Sequence, residues 1–137
     1  MAFKWVYNHY GAPMTQRSDM YGKNATTLTE GQAVRLVSGR WEVATNGVAV
    51  GGFMAQTITT TTDTLVTVNL AREGDVWESN YTGTPDVGFI VGLMVADVSV
   101  DGLSVLSSDI TGGPFSILLI NTTKAICQLM VKLRQFT

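Results

Sequence analysis

The chain has 137 residues, of which 45% are hydrophobic and 15% charged, and its formal net charge is −2 at pH 7. This length fits a single domain, and the charged share lies below the roughly 25% of an average soluble chain. The nine basic residues are scattered along the sequence, which argues against nucleic-acid binding because phosphate recognition needs clustered lysine and arginine. No stretch approaches the roughly 20 apolar residues that cross a bilayer, and no secretory signal is evident. We therefore expect a protein made in the cytoplasm, with no membrane contact.

The first 30 residues hold five aromatic side chains among polar ones. We interpret residues 1–30 as an extended N-terminal arm and residues 31–137 as a β-domain. An alternative is an ordinary edge strand, in which alternating rings complete the core of the same chain. The two interpretations are compatible, because a strand that pairs with a neighbouring subunit would alternate in the same way. The aromatic residues, which we take as candidate interface residues, are Phe3, Trp5, Tyr7, Tyr10 and Tyr21.

After residue 31, frequent glycines cut the sequence into short pieces rich in β-branched and aromatic residues. This rhythm predicts an all-β fold, either a small β-barrel or a β-sandwich. Residues 33–37 and 41–44 read as a hairpin joined by a short turn that contains Gly39. Residues 65–70 and 76–78, with a turn between them, predict a second hairpin.

Two further segments have clear strand patterns. At the end of the chain Cys127, Leu129, Val131 and Leu133 alternate with largely polar residues, which predicts a strand with one face on the core. Residues 87–100 are apolar and contain two glycines, which predicts a strand that is buried on both faces or bent at those glycines.

Threonines dominate residues 57–64. Threonine suits extended backbone and half-solvated faces, so this segment predicts an edge strand or an exposed loop. Its uncharged hydroxyls could bond to a partner protein without desolvating full charges, which makes it a second candidate contact surface. The candidate residues are Thr57, Thr59, Thr60, Thr61 and Thr62.

The residues most often used in catalysis and metal binding stand apart in this sequence. His9 is the only histidine and has no Cys, Asp or Glu at metal-ligand spacing, and the strand pattern directs Cys127 to the core. Asp97, Asp101 and Asp109 lack the dense oxygen spacing of a calcium loop. We therefore expect no enzymatic activity, no catalytic residue, no metal site and no cofactor.

The order of strands and glycines resembles the capsid cement, or decoration, proteins of tailed bacteriophages. The resemblance covers roughly residues 30–100. It is carried by residues 30–36, by residues 39–44 with Trp41, by residues 48–53, by residues 68–76 with Gly74, and by the Val-Gly repeat of residues 86–92. It is a pattern of strands and glycines and contains no diagnostic motif. The aromatic N-terminal segment and the ending from Ile117 to Phe136 depart from the shorter members of the family.

The resemblance implies a structural virion protein that binds the outer surface of an assembled capsid and bridges adjacent capsomers. Its partner would be the major capsid protein, and its oligomer a homotrimer at threefold and local threefold positions. Two alternatives are another phage component, such as a tail or fibre protein, and a carbohydrate-binding β module. The last would need Trp41, Trp77 and Tyr81 to form an exposed stacking platform.

Overall fold

The computed structural model describes residues 2–136, which form thirteen β-strands. No helix that could span a membrane is present in this part of the chain. The all-β prediction is confirmed, and the curled sheet is consistent with a small β-barrel or β-sandwich. The strands are β1 (Lys4–Asn8), β2 (Gln16–Tyr21), β3 (Thr27–Leu28), β4 (Ala33–Val37), β5 (Arg40–Val43), β6 (Gly52–Met54), β7 (Ile58–Thr59), β8 (Leu65–Leu70), β9 (Asp75–Thr82), β10 (Asp97–Val98), β11 (Val105–Leu106), β12 (Phe115–Asn121) and β13 (Ile126–Val131).

The first sheet is built around the long strand β9. Its order is β10-β11-β9-β13-β12, and β1 also pairs with β9. β13 occupies one side of β9, so β1 and β11 share the other side, with β1 antiparallel along residues 75–78 and β11 parallel along residues 81–82. Beyond β12, the N–H of Ile117 donates to the carbonyl of Leu93 at 2.8 Å and Ala96 bridges Phe115. In this part of the sheet, β1 and the chain at residues 92–96 are therefore opposite edges.

The second sheet has the order β2-β8-β6-β4-β5. The predicted hairpin is confirmed here, since β4 and β5 pair antiparallel from Val34↔Val43 to Val37↔Arg40. A parallel bridge between Gly22 and Trp41 brings the end of β2 to β5, so the two edges of this sheet meet. The sheet consequently curls around its own small core.

The second predicted hairpin is wrong. β8 belongs to the second sheet and pairs with β2 and β6, whereas β9 belongs to the first. The turn at Glu73 and Gly74 is present, but it carries the chain from one sheet to the other. The inward side chains of β8 were correctly predicted, because Val66, Val68 and Leu70 are buried.

Residues 2–30 are part of the same sheets as the rest of the chain. β1 pairs with β9, β2 pairs with β8, and β3 forms a two-stranded ladder with β7. β1 thus has the edge-strand arrangement that the sequence left open as the alternative to an arm. At the other terminus, Cys127, Leu129 and Val131 are buried as predicted, but β13 ends at Val131 and Leu133 is 45% exposed.

Two buried clusters lie on the two faces of the second sheet. Successive residues of β6 separate them: Phe53 packs in the larger cluster between the sheets, and Met54 packs in the smaller one inside the second sheet. Ala33 and Val34 of β4 divide in the same way, because neighbouring side chains of a strand point to opposite faces. The sheet therefore joins both clusters into one body.

Candidate protein interface

The aromatic residues of the N-terminal segment have three different environments. Phe3 is 4% exposed and packs on Phe53 and Phe115 at ring-centroid distances of 4.6 and 5.3 Å. Phe3 was predicted as a contact anchor, and the structure corrects this, because its ring is enclosed by the core of its own chain. Trp5 is half-buried and its indole N–H donates to Asp75 Oδ1 at 3.1 Å.

The three tyrosines remain accessible. Tyr7 and Tyr10 are 43% and 73% exposed; Tyr7 lies near the end of β1 and Tyr10 in the turn that follows it. Tyr21 is 41% exposed on the opposite sheet, where the guanidinium of Arg40 lies 5.2 Å from its ring centroid. The structure therefore does not bring the predicted aromatic residues together into one patch.

The threonine segment contains both buried and exposed side chains. Thr60 is 2% exposed, and its hydroxyl accepts the N–H of Thr26 at 2.9 Å, so the prediction of Thr60 as a contact residue is corrected. Its buried hydroxyl secures the backbone beside β7. Thr57 accepts the N–H of Glu30 at 2.9 Å, yet it is exposed, as are Thr59, Thr61 and Thr62.

The predicted strand at residues 87–100 is wrong for most of its length. Residues 86–95 form an irregular loop, which we call the apolar loop, and only Asp97–Val98 is a strand. Gly92 has φ +96, a left-handed value that strands do not contain, and it turns the chain there. The apolar content of this segment indicated burial, but most of it faces outward.

The apolar loop presents five large hydrophobic side chains to the solvent. Their exposed fractions are 95% for Val87, 59% for Ile90, 58% for Val91, 55% for Met94 and 37% for Val95. Contiguous exposed apolar surface on a soluble chain commonly marks a contact with another protein. The sequence gives no charge from residue 87 to residue 96, so a partner would cover this surface without desolvating an ion.

Internal bonds hold the apolar loop in one conformation. The backbone N–H of Phe89 donates to the carbonyl of Asp86 at 2.9 Å. The backbone N–H of Gly88 donates to the carboxylate of Asp86, also at 2.9 Å. The Phe89 ring is buried against Tyr81 with centroids 5.1 Å apart, and the Gly92 N–H donates to Ile117. A contact surface fixed in advance loses little conformational entropy on binding.

Charges flank the apolar loop on both sides. Asp86 stands at its start, immediately before Val87, and the ammonium of Lys132 lies 3.7 Å from the sulfur of Met94 at its end. Both charged residues are exposed. The loop therefore has an uncharged centre with one acid and one base at its margin.

A second feature with the shape of a contact site lies beyond the free edge of β1. It is a cavity of about 440 Å³, open to solvent, between β1 and the second sheet. Trp5, Met14 and Met54 supply apolar walls, Lys4 and Glu30 stand at the margin, and Phe3 also lines it.

Two carboxylates outside these surfaces have shifted pKa values. No group of three or more His, Cys, Asp or Glu side chains in residues 2–136 could hold a metal ion. Burial raises the pKa of Asp97, while Asp109 has a pKa lowered mainly by the backbone N–H of Thr111 and by the side chain of Asn46. The carboxylate of Asp97 accepts the N–H groups of Gly47 and Val98, so it joins the turn at Gly47 to β10.

The stacking platform of the carbohydrate-binding alternative is not formed. Trp41 and Trp77 are 0% and 1% exposed and belong to different core clusters. Tyr81 is partly buried against Phe89. These rings pack within the chain and leave no exposed face for a sugar.

No family model, curated protein or solved structure matches the chain.

Proposed function

We propose that this protein is a non-enzymatic structural component of a virion, which binds the outer surface of an assembled phage capsid and bridges adjacent capsomers. The observation that carries the proposal is the apolar loop: an ordered segment with Val87, Ile90, Val91 and Met94 exposed. Such a surface favours a lasting protein contact. The sequence resemblance to capsid cement proteins supplies the kind of assembly, with the major capsid protein as partner.

The composition supports the same function. With 15% charged residues, much of the surface is neutral, and the exposed tyrosines and threonines add polar groups that bond without a full charge. The capsid contacts that we propose are Tyr7, Tyr10 and the exposed threonines Thr57, Thr59, Thr61 and Thr62. Large aromatic side chains contribute most to interface energies, so the tyrosines should contribute more than the threonines.

Cementing depends on several contacts that act together. Each interface of a stable complex buries about 800 Å² per partner, and once one contact of an oligomer forms, the others follow at high effective concentration. A shell held in this way ruptures only when several interfaces open at once. A homotrimer is the oligomer that the resemblance implies.

The alternative of a tail or fibre protein shares the neutral β-rich composition. It would place the apolar loop against other tail subunits. Capsid binding distinguishes the two, because a tail component should not bind an isolated shell.

The test is co-sedimentation with purified capsids of the encoding phage from which this protein is absent. Wild-type protein is expected to sediment with the shells, and the Val87→Asp, Ile90→Asp double variant to bind at least about tenfold more weakly, because it places charge in an apolar contact. Val100→Asp is the matched control, since Val100 is 85% exposed but lies outside the apolar loop. Wild-type protein that stays in the supernatant, or a loop variant that binds as the control does, would contradict the proposal.

Deleting residues 1–10 is a poor test of capsid binding. The deletion would remove β1 and take the buried ring of Phe3 out of the larger cluster. Loss of binding would then follow from lost folding. Substitution of Tyr7 and Tyr10 by alanine leaves the core intact and tests the same surface.

A further inference from the structure

We propose that the apolar loop of one copy of this chain docks into the cavity beside β1 of a second copy, so that the protein assembles head to tail. This inference extends the proposed function by naming what covers the loop. It rests on the proposed function in taking the loop as a protein contact, and it assigns that contact to a second copy, so the loop variants would lose capsid binding through lost multivalency. Self-assembly is measured without capsids, so the two proposals can fail separately.

The two surfaces are complementary in shape and chemistry. The apolar loop is convex, with Val87, Ile90 and Val91 well exposed, and the cavity is concave with apolar walls from Trp5 and Met14. An apolar cavity of about 150 Å³ accommodates a benzene-sized group, so about 440 Å³ has room for two or three aliphatic side chains. Each surface is of the kind that would cover the other.

Both surfaces carry one acid and one base. Asp86 and Lys132 flank the uncharged loop, and the exposed Lys4 and Glu30 line the cavity, which also includes the polar Asn69. One docking orientation therefore sets Asp86 against Lys4 and Lys132 against Glu30. Rim charges of opposite sign select the orientation and speed the encounter, although each pair adds little affinity.

The two surfaces lie at different edges of the first sheet. The cavity lies beyond the free edge of β1, and the apolar loop leads into residues 92–96 at the opposite edge, with β9, β13 and β12 between. A contact between different patches on two copies is heterologous, and it generates a closed ring or an open filament. An isologous dimer would instead bring like surfaces together. The capsid-facing tyrosines and threonines lie outside both docking surfaces.

Light scattering after size exclusion tests the inference with the full chain. Wild-type protein at about 50 µM, a concentration well above the micromolar Kd of a modest interface, is expected at an integer multiple of 14.8 kDa, with three chains for a closed trimer. The loop variant Ile90→Asp and the cavity variant Met14→Asp are each expected to be monomers, and Val100→Asp to match the wild type. A wild-type monomer, or either docking variant with the wild-type mass, would overturn the inference.

Mixing the two monomeric variants decides the geometry. Ile90→Asp retains an intact cavity and Met14→Asp retains an intact loop, so an equimolar mixture should form a complex of two chains and no larger species. A loop that met another loop could not be rescued in this way, and a mixture that stays monomeric overturns the head-to-tail contact. Both residues are partly or largely exposed, and unchanged circular dichroism would show that the variants fold.

A charge exchange provides a second and milder test. Lys132→Glu should weaken assembly by about fivefold, because it opposes like charges across the contact, and adding Glu30→Lys should restore it. A double variant that assembles no better than Lys132→Glu alone would overturn the proposed docking.

Discussion

The thiol of Cys127 lies in the larger cluster with no exposed surface. Burial, together with the charge of Glu78, raises its pKa from 9.0 to about 12. The thiol behaves as a small hydrophobic group, and its raised pKa opposes the thiolate that nucleophilic chemistry needs.

This pKa predicts how stability changes at alkaline pH. The folded state keeps its thiol proton up to about pH 12, whereas the unfolded chain loses it from about pH 9. The stabilisation that comes from burying the protonated thiol is therefore fully present below pH 9. It is lost as the pH rises towards 12, at up to about 1.4 kcal/mol per pH unit. Urea unfolding of wild type and Cys127→Ala, followed by circular dichroism between pH 8 and 11, measures it. The difference in unfolding free energy between wild type and Cys127→Ala should narrow as the pH rises. A difference that stays constant would contradict the assigned pKa.

At the scale of elements, the hairpin β4–β5 contains a turn whose sequence is not optimal. Ser38 and Gly39 have φ values of 51 and 78, so both are left-handed. Such two-residue turns favour Asn-Gly, because asparagine tolerates this conformation better than serine does. Ser38→Asn should stabilise the protein by about 0.5 kcal/mol, measured as a higher urea midpoint with an unchanged m value. Gly39→Ala should destabilise it by about 1 kcal/mol, and a midpoint lowered by both substitutions would count against this turn geometry.

The same hairpin shows what sequence can predict. Its strands, its turn and its pairing are local, and they follow from alternation around Gly39. The turn at Gly74 has similar local signals, but the partners of β8 and β9 lie elsewhere in the chain, at β2, β6, β1, β11 and β13. Pairing at long sequence separation is decided by how the two sheets pack, which local patterns do not encode.

Burial within the candidate interface was harder to predict than strands. The apolar loop has the composition of a core strand, yet Phe89 is the only one of its large side chains that is buried. Thr60 has the composition of an exposed edge, yet its hydroxyl is enclosed by backbone groups. Hydrophobicity determines how much free energy the burial of a side chain would contribute, while the fold decides which side chains reach the core.

At the scale of the whole molecule, the two buried clusters raise the question of whether they unfold together. They share β4 and β6, on which successive side chains enter one cluster and then the other. Loss of either cluster would expose one face of these strands and break pairing that the other needs. The C-terminal segment adds a further link through the side chain of Gln135. Its Oε1 accepts the N–H of Leu36 at 2.7 Å, and its Nε2 donates to the carbonyl of Leu36 at 3.0 Å.

The expected result is a single cooperative transition. Trp41 reports on the smaller cluster and Trp77 on the larger one, so Trp77→Phe and Trp41→Phe variants allow each cluster to be followed by fluorescence, with half-buried Trp5 present in both. Each substitution should cost about 1–3 kcal/mol, because each removes packed volume from a core. Within each variant, the urea transitions by fluorescence and by far-ultraviolet circular dichroism should superimpose. Separate midpoints would mean that the second sheet can release one cluster while it retains the other, which the shared strands β4 and β6 argue against.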